Sequence, residues 1–465
     1  MRAIVRSALG AFTLATAFAA HAAAPPAEPP APPLKIAPVA FSERLLPNGL
    51  QVIGVPNHAS PTVSVQVWYH VGAKDDPPGR SGFAHLFEHL MFKSTAHLAS
   101  EQFDRLTEDV GGANNAFTSN DVTGYTDLVP SNHLEVLLWA EAERMSSLNV
   151  VQASFVSERA VVEEEYRQRI LASPYGRFAN AIPQAAYQLH PYKRPSIGSI
   201  DDLEAATLAD VVAFHATYYR PDNATLVVAG DFEPKQLDAW VDRYFARVPR
   251  PAEPLPRVAS AEPAWTSDRS VTVTGPQVPL PAVALVWLAP PLTDRDAPAL
   301  QIAAALLSAG ESARLNESLV YRQRIAGQAG FDADLRTGPG LLIATAIAAS
   351  GKAPDAVARS LLAEVTRLAQ QPPAAAELAK VKTQLLTGAL LSRQTPEGLA
   401  SAVAEAAVLQ GGADHVNTDL VALQAVTAAD VQRVMKRWVA SAHKLTLRYV
   451  QGDTPATPKT EGAPR

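Results

Sequence analysis

Segments at both ends of a block of roughly 200 residues recur further along the chain at a constant spacing, and this limits the possible folds more than any other feature. Pro61-Thr-Val-Ser-Val-Gln-Val-Trp68 is echoed by Pro281-Ala-Val-Ala-Leu-Val-Trp287, both apolar and β-branched in the manner of strands. Asp76 follows the first run, and Asp296, 220 residues on, follows the second. Near the block ends, Thr207-Leu-Ala-Asp-Val211 returns as Thr427-Ala-Ala-Asp-Val431 at the same spacing. Each opens like a capped helix, with Thr before it and Asp in its first turn. A strand ending in Gly-Asp follows each, Thr225 to Asp231 and Leu445 to Asp453. One such match could be accidental, but matches at both ends with one offset indicate a duplicated domain.

A chain of 465 residues is too long for a single hydrophobic core, which agrees with two blocks. The Pro-rich stretch 251–264, with Pro251, Pro254, Pro256 and Pro263, reads as a linker between residues 41–250 and 265–453. Strands alternate within the blocks with Ala/Leu-rich helical stretches such as 82–92, 131–147, 154–172 and 297–308. The simplest arrangement is an α+β fold of two homologous domains. Each has a mainly antiparallel sheet with helices packed on one side, and the domains face each other across a cavity.

Arg2 and Arg6, the apolar run Ala8 to Ala20 and the small residues Ala20-His-Ala22 form a secretory signal peptide over residues 1–22. The apolar run is shorter than the roughly 20 residues a membrane span needs. Residues 23–40 read as a Pro-rich, extended linker, and residues 454–465 as a disordered tail. The expected location is the periplasm of a Gram-negative bacterium or the extracellular medium. Without cysteine, an exported chain has neither disulfides nor thiolate ligands, so any metal must be held by His, Asp or Glu. A net charge of −6 and no basic stripe give no electrostatic case for nucleic acid.

The chemistry is concentrated in Ser81-Gly-Phe-Ala-His85-Leu-Phe-Glu88-His89-Leu-Met-Phe92. On a helix, His85 and His89 are one turn apart and about 40° apart around the axis, so both imidazoles can reach one zinc ion. Glu88 lies about 60° from His85 on the same side, where its carboxylate can face a metal-bound water. The order His-x-x-Glu-His is the reverse of the familiar His-Glu-x-x-His, and either order groups the same side chains on one face. A two-histidine site needs a third protein ligand. Candidates lie in Ser157-Glu158-Arg-Ala-Val-Val-Glu163-Glu164-Glu165-Tyr166, where Glu158 and Glu165, seven apart, share a helix face. Glu163 and Glu164 point elsewhere and read as a solvated acidic surface.

These residues resemble the inverted-motif zinc proteases that include pitrilysin, insulin-degrading enzyme and the mitochondrial processing peptidase, particularly their shorter two-domain bacterial members. The matching stretches are Val71 to Asp76, Gly82 to Thr95, Gly111 to Thr118 with Asp121, Thr123 and Tyr125, and Glu158 to Glu165. His190-Pro-Tyr192, Ile197-Gly-Ser199 and Tyr219 to Ala224 through Gly230-Asp231 continue the match in family order. The resemblance implies one zinc per chain held by His85, His89 and Glu165, with Glu88 as the general base. It also implies Glu158 as a carboxylate supporting the ligands. Asn115 and Ala116 then belong to an edge strand that receives an extended peptide by main-chain pairing.

One departure stands out. Active full-length relatives carry an arginine and a tyrosine, seven apart, in the C-terminal domain. Here an ungapped alignment puts Val320 and Gly327 at those positions, with Tyr321, Arg322 and Arg324 nearby but on other helix faces. The expectation is therefore a zinc-dependent peptidase of unfolded peptides, acting as the zinc subunit beside a homologous chain that supplies the Arg/Tyr pair. A non-catalytic structural subunit of the same fold is the alternative.

Overall fold

The computed structural model describes residues 34–258 and 261–452. The signal peptide, most of the Pro-rich linker and the tail read from the sequence lie outside the described residues. From Ile36 onward the described residues form one compact unit.

Two sheets organise it. The first contains β1 (Ser42–Leu45), β2 (Gln51–Pro56), β3 (Thr62–Tyr69), β4 (Ala113–Thr118), β5 (Thr123–Pro130) and β6 (Ala224–Gly230). The second contains β7 (Arg269–Gly275), β8 (Ala282–Ala289), β9 (Ala326–Asp334), β10 (Gly340–Ala348) and β11 (Leu445–Gln451). Their orders, β1-β2-β6-β3-β5-β4 and β7-β11-β8-β10-β9, correspond strand for strand once β1 is set aside. The one parallel pair in each sheet, β2 with β6 and β7 with β11, also corresponds. The duplication read from the 220-residue offset is thus an architectural one. Both capped helices form as the sequence indicates, with Thr207 and Asp210, then Thr427 and Asp430, exchanging reciprocal hydrogen bonds at the helix starts.

The apolar strands alternate between two cores. In β3, Val63, Val65, Val67 and Tyr69 face the helices of their own half, while Trp68 joins Ile53, Val55, Val227 and Ala229 on the opposite face. In β8, Val283, Leu285 and Trp287 face one side and Ala282, Ala284 and Val286 the other. A sheet buried on both faces needs near-continuous apolar strands, which explains their composition.

The second face of each sheet is covered by a helix from the other half. Helix Gly176–Ala186 lays Phe178, Ala181, Ile182 and Ala185 on the second sheet, and helix Pro396–Leu409 lays Leu399, Ala400, Val403 and Ala404 on the first. Their first residues, Gly176 and Pro396, stand 220 apart, so they are equivalent helices exchanged between the copies. At these contacts the halves touch through packed apolar surface rather than across open space. A buried polar hub adds to the joint. Asp121, in the β4–β5 turn, accepts from Lys74 Nζ (2.7 Å), Tyr192 Oη (2.5 Å) and Thr337 Oγ1 (2.5 Å), the last from the second half.

Helix α1 (Phe83–Leu90) is fixed by contacts from outside the helix. The Asp76 carboxylate accepts the N–H groups of Gly82 (2.7 Å) and Ala84 (2.9 Å), capping a helix whose first residues have no internal partner. Gly82 has φ +96°, and a Cβ there would stand 2.9 Å from the Ile197 carbonyl oxygen, so glycine is required where these chains cross. Tyr125 and Tyr219 donate to the carbonyls of Phe87 (3.3 Å) and Ala84 (3.4 Å). The His215 ring stacks on Phe87 and Tyr219, with its Nε2 buried and unpartnered.

Leu399→Ala should destabilise the protein by about 3 kcal/mol, because it opens a cavity in the seam between halves. Urea unfolding followed by circular dichroism checks this, and an unmoved midpoint would contradict the packed seam. Burial lowers the His215 pKa to about 4. A folded pKa below the ordinary histidine value favours the neutral ring, so stability is complete above pH ~6.5 and drains as the pH falls toward about 4. The loss should reach up to about 3 kcal/mol and shrink in His215→Phe, measured as urea midpoints near pH 7.5 and near pH 4.5.

Candidate metal centre

Helix α1 buries Phe83, Ala84, Leu86, Phe87 and Leu90 and turns His85, Glu88 and His89 toward helix Gln152–Tyr166. That second helix brings Glu158 and Glu165 to the same place, two turns apart on one face as their spacing predicts. Glu165 Oε2 lies 3.1 Å from His85 Nε2 and 3.5 Å from His89 Nε2. The two imidazole centroids are 5.0 Å apart. Tetrahedral zinc with arms near 2.0–2.1 Å requires donor atoms about 3.3 Å from one another, so these separations suit such an ion. One donor atom from each of His85, His89 and Glu165 lies within 4.8 Å of the other two. The donor set, two imidazoles and one carboxylate, leaves a position for water.

The surrounding groups favour a cation between them. Desolvation would lower the pKa of His85, but hydrogen bonds to Glu165 and Glu88 outweigh it and lift the value to about 9. The hydrogen bond from His85 holds Glu165 below the usual carboxylate range, against the opposing effect of burial. Burial would raise Glu88, but bonds from His85 and Thr118 keep it ionised. One Glu88 oxygen is 3.2 Å from His85 Nδ1. Glu158 is also held low against its burial, with Oε2 3.6 Å from His89 Nδ1 and Oε1 3.0 Å from Lys93 Nζ. Glu158 thus stands beside the outer nitrogen of the His89 ring.

Glu163 and Glu164 turn away, toward Arg159 and Arg167. Asn115 and Ala116 lie on β4, the edge of the first sheet, beside α1, with Asn115 exposed. His190 caps a short turn by accepting from the Tyr192 N–H (3.2 Å), a loop-fixing part and no part of the metal site. Sequence reasoning missed Asp76 as the cap of α1, Thr118 as the partner of Glu88, and Lys93 and Arg169 as partners of Glu158 and Glu165. Only Arg169 had a local signal, standing four residues after Glu165 on a helix.

The second half keeps the fold without these groups. At the 220-residue offset His85, Glu88 and His89 become Ala305, Ser308 and Ala309, while Glu158 and Glu165 become Leu378 and Leu385. Arg314 is taken by Glu377 in a two-pronged contact (2.7 Å each), Tyr321 donates to Glu311, and Gly327 lies on β9.

Comparison with known proteins agrees with this division. Residues 51–199 match the family model described as insulinase, peptidase family M16, and residues 205–385 match the M16 inactive domain. The zinc protease PqqE of Helicobacter pylori is 37% identical over 286 residues, covering 61% of this chain and 64% of that protein, so the match spans less than two thirds of the relative. A probable mitochondrial-processing peptidase subunit beta of Arabidopsis thaliana is 23% identical over 403 residues, 85% of this chain and 75% of that one. The crystal structure of a protease from Helicobacter pylori superposes with a TM-score of 0.85 at 29% identity, covering 89% of this chain and 99% of that chain. With both domain types in order and the fold shared, the chain belongs to the M16 family of peptidases.

Proposed function

We propose that the protein is a zinc-dependent peptidase acting on unfolded peptides, with His85, His89 and Glu165 holding one zinc ion. The observation that carries this reading is the approach of one carboxylate oxygen to two imidazole nitrogens at 3.1 and 3.5 Å, with an ionised Glu88 alongside. Zinc at that position would lower the pKa of a water toward about 7 and polarise the scissile carbonyl. Glu88 takes the proton of the attacking water and returns it to the departing amine. Glu158 orients His89. Asn115 and Ala116 on the exposed edge of β4 pair with the backbone of an extended peptide, which places the scissile bond beside α1.

The reading extends to assembly and location. The place of the Arg/Tyr pair is held by Val320 and Gly327, so the chain acts as the zinc subunit of a two-chain enzyme and takes those groups from a homologous partner. The leader-like N-terminus supports export to the periplasm or beyond. Among the described residues, no helix is long and apolar enough to cross a membrane. The same missing pair favours a second reading, a structural subunit without turnover.

Glu88→Gln should keep zinc at one per chain, measured by metal analysis, while peptide turnover falls by about 10²-fold or more. Undiminished turnover in that variant would remove Glu88 from the role of base. The purified chain alone should cleave an unfolded peptide slowly, and adding a homologous subunit should raise the rate. Full activity without a partner would refute the two-chain reading, and zinc binding without turnover under either condition would favour the structural one.

A further inference from the structure

Both carboxylates that helix Gln152–Tyr166 brings to the imidazoles have their far oxygen held by a basic side chain. Lys93 holds Glu158 Oε1, and Arg169 Nη1 stands 2.6 Å from Glu165 Oε1 while Oε2 of the same carboxylate faces both histidines. Glu165 therefore lies between a fixed cation on its outer side and the metal pocket on its inner side. The plain reading is a surface ion pair of helix spacing, and Arg169 itself is 72% exposed. Glu165 is not a surface residue, however, with only 17% of its side chain exposed. The neighbouring acids also leave Arg169 to it, since Glu163 and Glu164 are matched with Arg159 and Arg167. In addition, the helix widens into an i→i+5 turn over Arg167–Ala172, a form that is uncommon and frequent at functional sites.

Building on zinc at this site, we propose that Arg169 is a positioning residue for the metal. It locks the Glu165 carboxylate with Oε2 toward His85 and His89, so the third ligand is oriented before the ion arrives. A carboxylate freed from Arg169 would rotate about its terminal torsion and sample orientations in which neither oxygen meets the two Nε2 atoms. An exposed ion pair contributes little to folding, so this role is separable from stability.

The test is zinc affinity, measured by competition with a fluorescent chelator on the purified chain, together with the urea midpoint. Arg169→Met should weaken zinc binding about 10–100-fold with an unchanged midpoint, the range typical for loss of an outer partner. Arg169→Lys, which keeps the charge but not the planar fork, should fall between the variant and wild type. Equal zinc affinity in Arg169→Met and wild type would overturn the proposal, as would a loss of affinity matched by a fall in the midpoint. A wild-type protein that takes up no zinc would instead overturn the metal reading itself.

Discussion

A helix of eight residues cannot hold itself together in water, yet this one must present His85, Glu88 and His89 in fixed register. Its stability is borrowed. Five of its residues are buried apolar side chains against the first sheet, Asp76 caps its amide end, and two tyrosine hydroxyls hold its carbonyls from below. A metal centre tolerates little displacement of its donor atoms, so the position of each candidate donor on α1 rests on this tertiary clamp. The crossing of Gly82 with Ile197 and Gly198 belongs to the same clamp, since side-chain bulk at that point would push the helix start away from its cap.

The clamp in turn requires a sheet that does not flex, and the exchange of helices between halves supplies one. A sheet with one wet face could bend toward solvent. Here the second face of the first sheet is pinned by a helix from the second half, and the reverse holds for the other sheet. Asp121 ties the turn beside β4 to Thr337 across the seam. The half without the His/Glu cluster therefore acts on the half that carries it mechanically, by supporting the back of the sheet on which α1 rests.

Periodicity made much of this legible. The offset of 220 anticipated the two sheets, the Thr caps anticipated the helix starts, and spacings of four and seven anticipated which side chains meet. All of those are local or repeated patterns. What escaped was pairing outside regular elements or between them: Asp76 onto Gly82 and Ala84 through a turn, Thr118 from β4 onto Glu88, Lys93 onto Glu158. No spacing rule encodes such contacts, because they depend on how elements dock. The exchanged helices escaped for the same reason. An amphipathic helix shows that it has an apolar face, but not which sheet that face covers.

The duplicate also separates what the fold needs from what the chemistry needs. Two copies with matching sheet order differ at five positions that in the first half gather two imidazoles and three carboxylates. Burying such groups costs desolvation energy, which in the first half is offset by their contacts with one another and with Thr118, Lys93 and Arg169, while the second half packs Ala305 and Leu378 at the equivalent places without them. The fold itself therefore does not require the cluster, which is present in only one of its two copies. Groups that the fold does without in one copy and gathers at one point in the other are accounted for by chemistry rather than by folding, and the donor spacing around Glu165 Oε2 suits a metal ion.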